Sequence, residues 1–414
     1  MTIASGIEKL VVLAAQATKG TVAEAALATA RYMRRVTSSI DLTKETYQSN
    51  EIRPDRQIGD FRHGVQSIEG TLNGELSPET YELLMAGILR KDFVAGVADA
   101  ANSNVAIDGS AKTSIRSDAL GSWLEDGFKV GDVFRHTGFT ATENNSVNLM
   151  VTAVTDTVLT WIVLNGSTLT TEGEGQAITT TVVGQKTWTP TTGHTEDWFT
   201  LEHYFGDLDI SEVFYDVKVN SMAISLPATG MATIDVGLMG LNHNFLDSAA
   251  SPYFTSVLDA TGTGIVAAVN GVITVEGAQI ALITSIDFDI AANLTSEPVV
   301  GSNVKPDLFE GKVAVTGNMS VYFEDATFRD YFENETEVSV ACAFTTNNDG
   351  DADFLAFTMP RVKMGGSTKD DGEKGIIQTM PFTALIDVNA GADTGATATD
   401  SLETTLSIQD STLS

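Results

Sequence analysis

Apolar and polar residues alternate along two widely separated stretches of the chain. In residues 67–77, isoleucine, leucine and glycine share one face, and serine, glutamate, threonine and asparagine share the other. The same alternation runs from Lys312 to Val321. Because successive side chains of a strand point to opposite faces, both stretches predict strands with one buried and one polar face.

A similar short segment precedes each of these strands at nearly the same distance. Ser39-Ile40-Asp41 comes before the first strand and Ser285-Ile286-Asp287 before the second. The offset is 246 residues from Ile40 to Ile286 and 243 from Gly74 to Gly317, so the two intervening loops differ by three residues. A repeat of this kind indicates a duplicated structural unit, as in proteins built to assemble.

A short segment with helical spacing follows each copy. Ser77-Pro78 predicts a helix start, with a hydroxyl N-cap and proline at the first helical position. One apolar stripe follows at i, i+3, i+4 and i+7: Tyr81, Leu84, Met85 and Ile88. After the second copy, Asp325 is the candidate cap of a helix that carries Phe328, Tyr331 and Phe332.

The remaining patterns predict a mainly β protein with three parts. Short strands around 127–134 and 151–155, broken by Asn-Asn and Asn-Gly, suggest a small inserted β domain at 102–190. We expect a first sandwich or barrel unit at 1–101 and 191–260, and a second at 261–414, each with a flanking helix. Residues 21–30 are either helical or a loose arm, and 402–408 form the last strand after a flexible turn.

The charge is strongly acidic but unevenly distributed. The formal net charge is -31, and residues 1–100 contain 11 basic and 13 acidic side chains against 13 and 42 in the rest. Such a charge disfavours adhesion to nucleic acid or anionic membranes. The N-terminal residues suggest neither a signal peptide nor a membrane span, so we expect synthesis in a cytoplasm.

No constellation of residues indicates catalysis or a cofactor. Two histidines, His194 and His203, flank Glu196, Asp197 and Glu202, and this set could converge on a metal. Surface polar groups are the favoured interpretation, because residues near strand ends are usually of that kind. Residues 347–353 have the oxygen density of a calcium loop but not its glycine and glutamate, which favours a hairpin turn. Cys342, the single cysteine, lies in a predicted strand and is expected to be a buried thiol. We expect no enzyme activity, no metal and no cofactor.

The arginines make the N-terminal unit the relatively basic region of the chain. They are Arg31, Arg34, Arg35, Arg53, Arg56, Arg62 and Arg90. Neighbouring carboxylates neutralise them and no aromatic ladder accompanies them, so a protein–protein interface is favoured over a nucleic-acid patch.

Several blocks resemble the tail tube, or major tail, proteins of long-tailed bacteriophages. They are Thr43 to Gln57, Arg62 to Gly64, Gly70 to Leu76, Gly121 to Phe139, Pro190 to Thr195 and Met222 to Thr233. The resemblance implies a β-sandwich subunit with a flanking helix. It also implies stacked rings whose acidic lumen lets genome DNA slide, in a virion tail assembled from protein made in the host bacterial cytoplasm.

The resemblance assigns roles to particular residues. Those expected to face the lumen are Asp41, Glu69, Thr71, Asn73, Glu75, Asp287, Asp289, Thr316 and Asn318. Lys312 departs from an all-acidic lining. The inter-ring loop is expected to carry Arg53, Asp55, Arg56 and Arg62, with loops 51–64 and 297–310 reaching neighbouring rings and the insert outside.

Two copies per chain favour a ring of three chains with pseudo-sixfold symmetry over a ring of six chains that each use one copy. The expected partners are the chain itself, neighbouring rings, the tape measure and tail completion proteins, and DNA in transient, non-specific passage, with no membrane. The alternative is a carbohydrate-binding or adhesive β-rich protein of the virion surface, which a glycan array and a polymerisation assay would distinguish.

Overall fold

A computed structural model describes residues 3–117 and 121–414 of the chain. The first part contains six strands and one helix: β1 Lys9–Gln16, β2 Arg31–Tyr32, β3 Thr37–Ser38, β4 Asp41–Gln48, β5 Phe61–Glu75, α1 Glu82–Leu89 and β6 Val94–Ala95. Residues 21–30 contain turns and no helix, and Ala23 and Ala30 within them are buried.

A separate seven-stranded antiparallel sheet follows. Its elements are β7 Ala98–Asn102, β8 Val105–Asp108, β9 Thr113–Arg116, α2 Trp123–Asp126, β10 Val133–Thr137, β11 Leu149–Val154, β12 Val158–Val163 and β13 Ile178–Val182. We call residues 98–182 the insert. The strand predicted at 127–134 is wrong up to Asp132, because Gly127 and Gly131 have φ values of +96° and +88° and make turns.

The chain then returns to the main body. Four strands come first: β14 Gln185–Trp188, β15 Trp198–Phe205, β16 Ile210–Pro227 and β17 Thr233–Asp247. The others are β18 Gly271–Val275, β19 Ala278–Gln279, β20 Ile283–Ala291, β21 Ala314–Tyr322, α3 Thr327–Glu333, β22 Glu337–Thr345, β23 Phe354–Met364, β24 Thr368–Lys369, β25 Ile377–Leu385 and β26 Ser407–Asp410. The last strand is shorter than predicted, because residues 402–406 are not in a strand. Short 3-10 turns lie at Thr142–Asn144, Ser248–Ala250 and Ala268–Asn270.

One antiparallel sheet joins both copies of the repeat. Its strand order is β4–β5–β17–β16–β20–β21–β25, with β3 beside the end of β5. The 18-residue strand β16 makes this possible, because its second half pairs with β17 on one side and with β20 on the other. We call this the joint sheet.

A second layer packs against the apolar face of the joint sheet. It contains β14, β26, β23, β22 and β18 in that order. The rings of Phe288 in the joint sheet and Phe357 in the second layer lie 5.2 Å apart in an edge-to-face arrangement. Cys342 of β22 is fully buried in the same core, so its prediction as a buried thiol is confirmed. The fold is therefore a β-sandwich with few helices, as predicted.

Helix α1 covers the first copy as expected, but it begins later than predicted. Tyr81, Leu84, Met85 and Ile88 are all buried in the main core, which confirms the apolar stripe. The predicted start at Ser77-Pro78 is wrong, because Glu79 has a left-handed φ of 67° and interrupts the helix. The hydroxyl of Ser77 contacts that of Thr80 at 2.7 Å instead of capping a backbone amide.

The second helix agrees better with its prediction. The Asp325 carboxylate accepts a hydrogen bond from the Thr327 amide at 2.8 Å. Phe328 and Tyr331 pack against the core, whereas Phe332 is 40% exposed.

The insert has its own core but is docked firmly on the second layer. Val133, Met150 and Ile162 pack against a patch that includes Val272 and Phe354. The buried side chain of Gln409 accepts from the Val133 amide at 2.9 Å and donates to the Val133 carbonyl at 2.8 Å. Outside the insert, both proposed units contribute to one continuous core. The division of this part of the chain into two units stays a prediction. Within the described residues, no helix is long and apolar enough to cross a membrane.

Candidate functional site

The joint sheet carries a polar face on the side opposite its core. Three rows of side chains run across the strands on this face, and paired residues within a row point the same way. The first row is Glu75, Thr233, Ser225, Asp287, Asn318 and Pro381; the second is Asn73, Asp235, Ala223, Asp289, Thr316 and Thr383; the third is Thr71, Gly237, Ser221, Ala291 and Ala314. We call these three rows the polar face.

The polar face is acidic and internally hydrogen-bonded. It holds the carboxylates of Glu75, Asp235, Asp287 and Asp289 and no lysine or arginine. The Asn73 amide donates to Asp235 at 2.8 Å. Asp235 and Asp289 flank Ala223 in the same row, so two strand spacings, about 10 Å, separate them. The face can therefore repel a polyanion, and it offers no cation to hold one.

Seven of the nine residues predicted to face a lumen lie together on the polar face: Thr71, Asn73, Glu75, Asp287, Asp289, Thr316 and Asn318. The other two, Asp41 and Glu69, are paired with each other one row further on. Lys312 precedes β21 and so lies outside the three rows.

Asp235 is a member of the polar face that the sequence prediction missed. The alternation Thr233-Ile234-Asp235-Val236 is the signal that identifies it, since Ile234 and Val236 are buried and Asp235 is not.

A two-stranded hairpin projects from one end of the joint sheet. It comprises β4 from Leu42 onward, the loop 49–60 and β5 as far as Ser67, and we call residues 42–67 the arm. Ile52 is fully exposed and Ile58 is 67% exposed at its tip. The tip is held by ion pairs between Arg53 and Asp55 and between Arg62 and Asp60, both at 2.9 Å. The predicted loop 51–64 is shorter than expected, because β5 begins at Phe61.

The corresponding loop of the second copy, 292–313, does not project in the same way. Leu308 packs on Trp198, and the Lys19 ammonium lies 2.8 Å from the Asp307 carboxylate. Glu310 lies 2.7 Å from the buried ammonium of Lys218 and 3.3 Å from the Arg90 guanidinium. The loop is therefore tied to the first part of the chain, with Val299 and Val300 exposed at its tip.

The arginines do not form one patch. Arg31 pairs with Glu79 at 2.8 Å, and Arg34 donates to the Thr263 carbonyl at 2.7 Å. Arg35 likewise donates to the carbonyl of Lys9. Arg90 pairs with Glu310, so four of the seven arginines brace the fold, and the three on the arm stay candidates for an interface.

The residues considered for metal binding are not brought together. Among the residues that the structure describes, no group of three or more His, Cys, Asp or Glu side chains is placed to hold a metal ion. The prediction that they are surface groups is wrong for Glu202 and His203, which are buried. Glu202 accepts from the Tyr253 and Phe254 amides at 2.7 and 3.1 Å. Burial lowers the pKa of His203 to about 3.

The calcium-like segment is a turn, as favoured. Residues 346–353 connect β22 to β23, and the Asn347 side chain accepts from the Asp349 amide at 2.9 Å. Its oxygens therefore stabilise the hairpin itself.

Comparison with known proteins bears on this arrangement of a β-sandwich, an acidic sheet face and a projecting hairpin. No curated protein sequence matches the chain significantly. A family model described as "Phage tail tube protein" matches residues 6–384, nearly the whole chain. The match confirms the resemblance seen in the sequence. The chain therefore belongs to the phage tail tube protein family, and is a structural subunit of a bacteriophage tail tube.

Proposed function

We propose that three copies of this chain close a ring whose lumen is lined by the polar face, and that genome DNA passes through a stack of such rings. The observation that carries this proposal is the pairing of β16 with β20, which places both copies of the repeat in one sheet. Because of that pairing, the polar residues of both copies belong to one surface.

The strand count supports three chains. Seven strands per chain give 21 in a ring of three, and strands spaced about 4.8 Å apart and tilted about 40° close into a barrel about 42 Å across. Six chains using the same sheet would double that diameter to about 84 Å. The smaller barrel leaves room for one DNA duplex after side chains are added.

The rival ring of six chains would line its lumen with one copy only. It would then have to turn the other copy away from the channel. The joint sheet opposes this, since Ser225 of β16 hydrogen-bonds Asp287 of β20 on the polar face itself. Separating the two copies would break seven paired positions between Ser221 and Pro227.

The charges suit passage of DNA without binding. Four carboxylates per chain would place twelve around each ring of three. Repulsion between wall and phosphate reaches about one Debye length, ~8 Å at physiological salt. The wall would therefore keep the duplex centred, with no lysine or arginine in the three rows to slow it.

The two ends and the outside of the ring would make the remaining contacts. The arm, with Arg53, Asp55, Arg56 and Arg62, would reach a neighbouring ring, as would the exposed tip of the loop 297–310. The insert would face outward. The tape measure protein would occupy the lumen during assembly, and tail completion proteins would cap the stack.

Electron microscopy of purified, assembled protein tests this function. Averaged end views should show a threefold outer contour around an inner wall with approximate sixfold repetition. Tubes with six separate inserts around each ring would contradict the stoichiometry. Protein that remains monomeric at every concentration and salt condition would contradict the assembly itself.

A further inference from the structure

The arm lacks a partner for its apolar tip. A two-stranded hairpin alone is marginally stable in water. Between Ile68 and the tip of the arm, β4 and β5 pair only with each other in the described chain. The exceptions are the hydrogen bonds of Gln66 to Asn303 and Leu241. Ile52 at 102% and Ile58 at 67% relative exposure offer the tip's largest apolar side chains to solvent. Such a tip gains stability by burying these side chains against another surface.

A groove of matching character lies beside α3. Its volume is about 520 Å³, and its apolar lining includes Val275, Ile280, Leu282, Val321, Phe328 and Tyr331. We call it the α3 groove. Phe328 and Tyr331 pack edge to face with ring centroids 5.9 Å apart, which fixes one wall. The opposite rim is open, since Ala278 and Ala281 are exposed.

The arm and the α3 groove lie at opposite ends of the joint sheet. β5 enters the sheet from the arm and ends at Glu75, whose row continues to Asp287 and Asn318. β21 then ends at Tyr322, and α3 follows directly at that far end. Two different surfaces at opposite ends make a head-to-tail contact, which leads to an open stack.

Charge favours a second copy of this chain as the occupant. The arm holds four basic and four acidic side chains and is neutral, although the whole chain carries -31. It can therefore approach another acidic copy without net repulsion. At the groove, Glu276, Glu324 and Asp325 form an acidic rim, and Arg56 of the tip forms no salt bridge within the described chain.

We propose that the arm of one copy inserts Ile52 and Ile58 into the α3 groove of a copy in the next ring, with Arg56 against the rim carboxylates. The proposal rests on the stacking of rings in the proposed function and names the surface that receives the arm. It gives the tube a polarity, because every ring presents arms at one end and grooves at the other.

Engineered cysteines test this contact in assembled tubes. The double variant Ile52→Cys, Ala281→Cys should form a disulfide ladder of dimers, trimers and longer species on mild oxidation. The pair Ile52→Cys, Thr171→Cys, which moves the second cysteine to the insert, is the matched control and should stay monomeric. Native Cys342 is fully buried and should not contribute.

The outcomes separate the two proposals. Tubes of normal appearance without a ladder from the first pair would overturn the α3 groove as receptor and leave ring stacking intact. Failure of the unmodified chain to form tubes would overturn the stacking, and the docking with it.

Assembly of charged variants gives a second test. Ile52→Asp with Ile58→Asp should raise the concentration needed for tubes by about tenfold or more, because it removes two apolar anchors. Ile115→Asp, on the exposed surface of the insert, should leave that concentration unchanged. Equal assembly of both variants would overturn the proposal, and isolated rings from the first alone would support it.

Discussion

Replacing Lys218 with methionine should release the loop 292–313 from the first part of the chain. Lys218 is 3% exposed, and its ammonium lies 2.7 Å from Glu310, 3.2 Å from Glu196 and 4.2 Å from the centre of the Trp198 ring. Methionine keeps most of the apolar stem and removes the charge. The loop would then lose its central anchor.

The magnitude follows from what each partner retains. Removing one member of a buried ion pair costs about 3–5 kcal/mol. Glu310 keeps Arg90 at 3.3 Å, and the Glu196 side chain is 65% exposed and can be hydrated. We therefore expect about 2 kcal/mol, which raises the population of the open loop about thirtyfold.

Limited trypsin digestion measures this opening at the Lys312–Val313 bond, within the loop, since Pro306 protects the bond after Lys305. When opening is fast relative to cleavage, the rate at Lys312 follows the open population and should rise about thirtyfold in Lys218→Met. Lys19→Met is the matched control, because the Lys19–Asp307 pair is about one-third exposed and such pairs contribute about 0–1 kcal/mol. Equal cleavage in the two variants would refute the role of Lys218 as the anchor.

Three further predictions concern the lumen, acid stability and the thiol. Asp289→Lys should slow DNA ejection by phage in a salt-dependent way while tubes assemble normally; Glu143→Lys on the insert should not, and equal ejection rates would contradict a lumen role. Burial lowers the pKa values of His136 and His203 to about 3, so each stays neutral in the fold and stability falls as pH drops from 6.5 towards 3. At pH 4.5 each should cost about 2–3 kcal/mol relative to pH 7, and a denaturant midpoint that does not move would contradict this. Burial raises the pKa of Cys342 to about 12, so the thiol should react with a disulfide reagent only after unfolding; reaction in the native state would be the contrary result.

The strands of the joint sheet could be predicted because their signal is local. A period of two with one apolar side identified residues 67–77 and 312–321, and the rows in the structure follow it. The pairing of the two copies through β16 was not predictable in this way. Nothing in the local pattern states that one strand serves both copies.

Long-range contacts and backbone conformation explain the other misses. Ser77 and Pro78 satisfy the rules for a helix start, but the left-handed Glu79 follows, and the sequence shows no glycine to announce it. Glu202 and His203 look like surface groups in sequence because their partners lie far along the chain, at Tyr253 and Ser38. The arm projects, whereas the loop 292–313 is held against the body by Trp198 and Lys218. These two residues lie outside both repeated segments, so the repeat does not reveal the difference.

The pairing of β26 determines when the body of a newly made chain can close. β26 bridges β14 and β23, and its Asp410 pairs with Gln185, so the second layer stays open until these late residues have been translated. About 220 residues separate the two strands, which corresponds to about 11–45 s of synthesis at typical ribosome speeds. Asp410 also accepts a hydrogen bond from the Glu79 amide at 2.7 Å, just before α1. A nascent chain therefore cannot complete its second layer, or the contact just before α1, until β26 has been translated, and its finished surfaces become available to other subunits after that point.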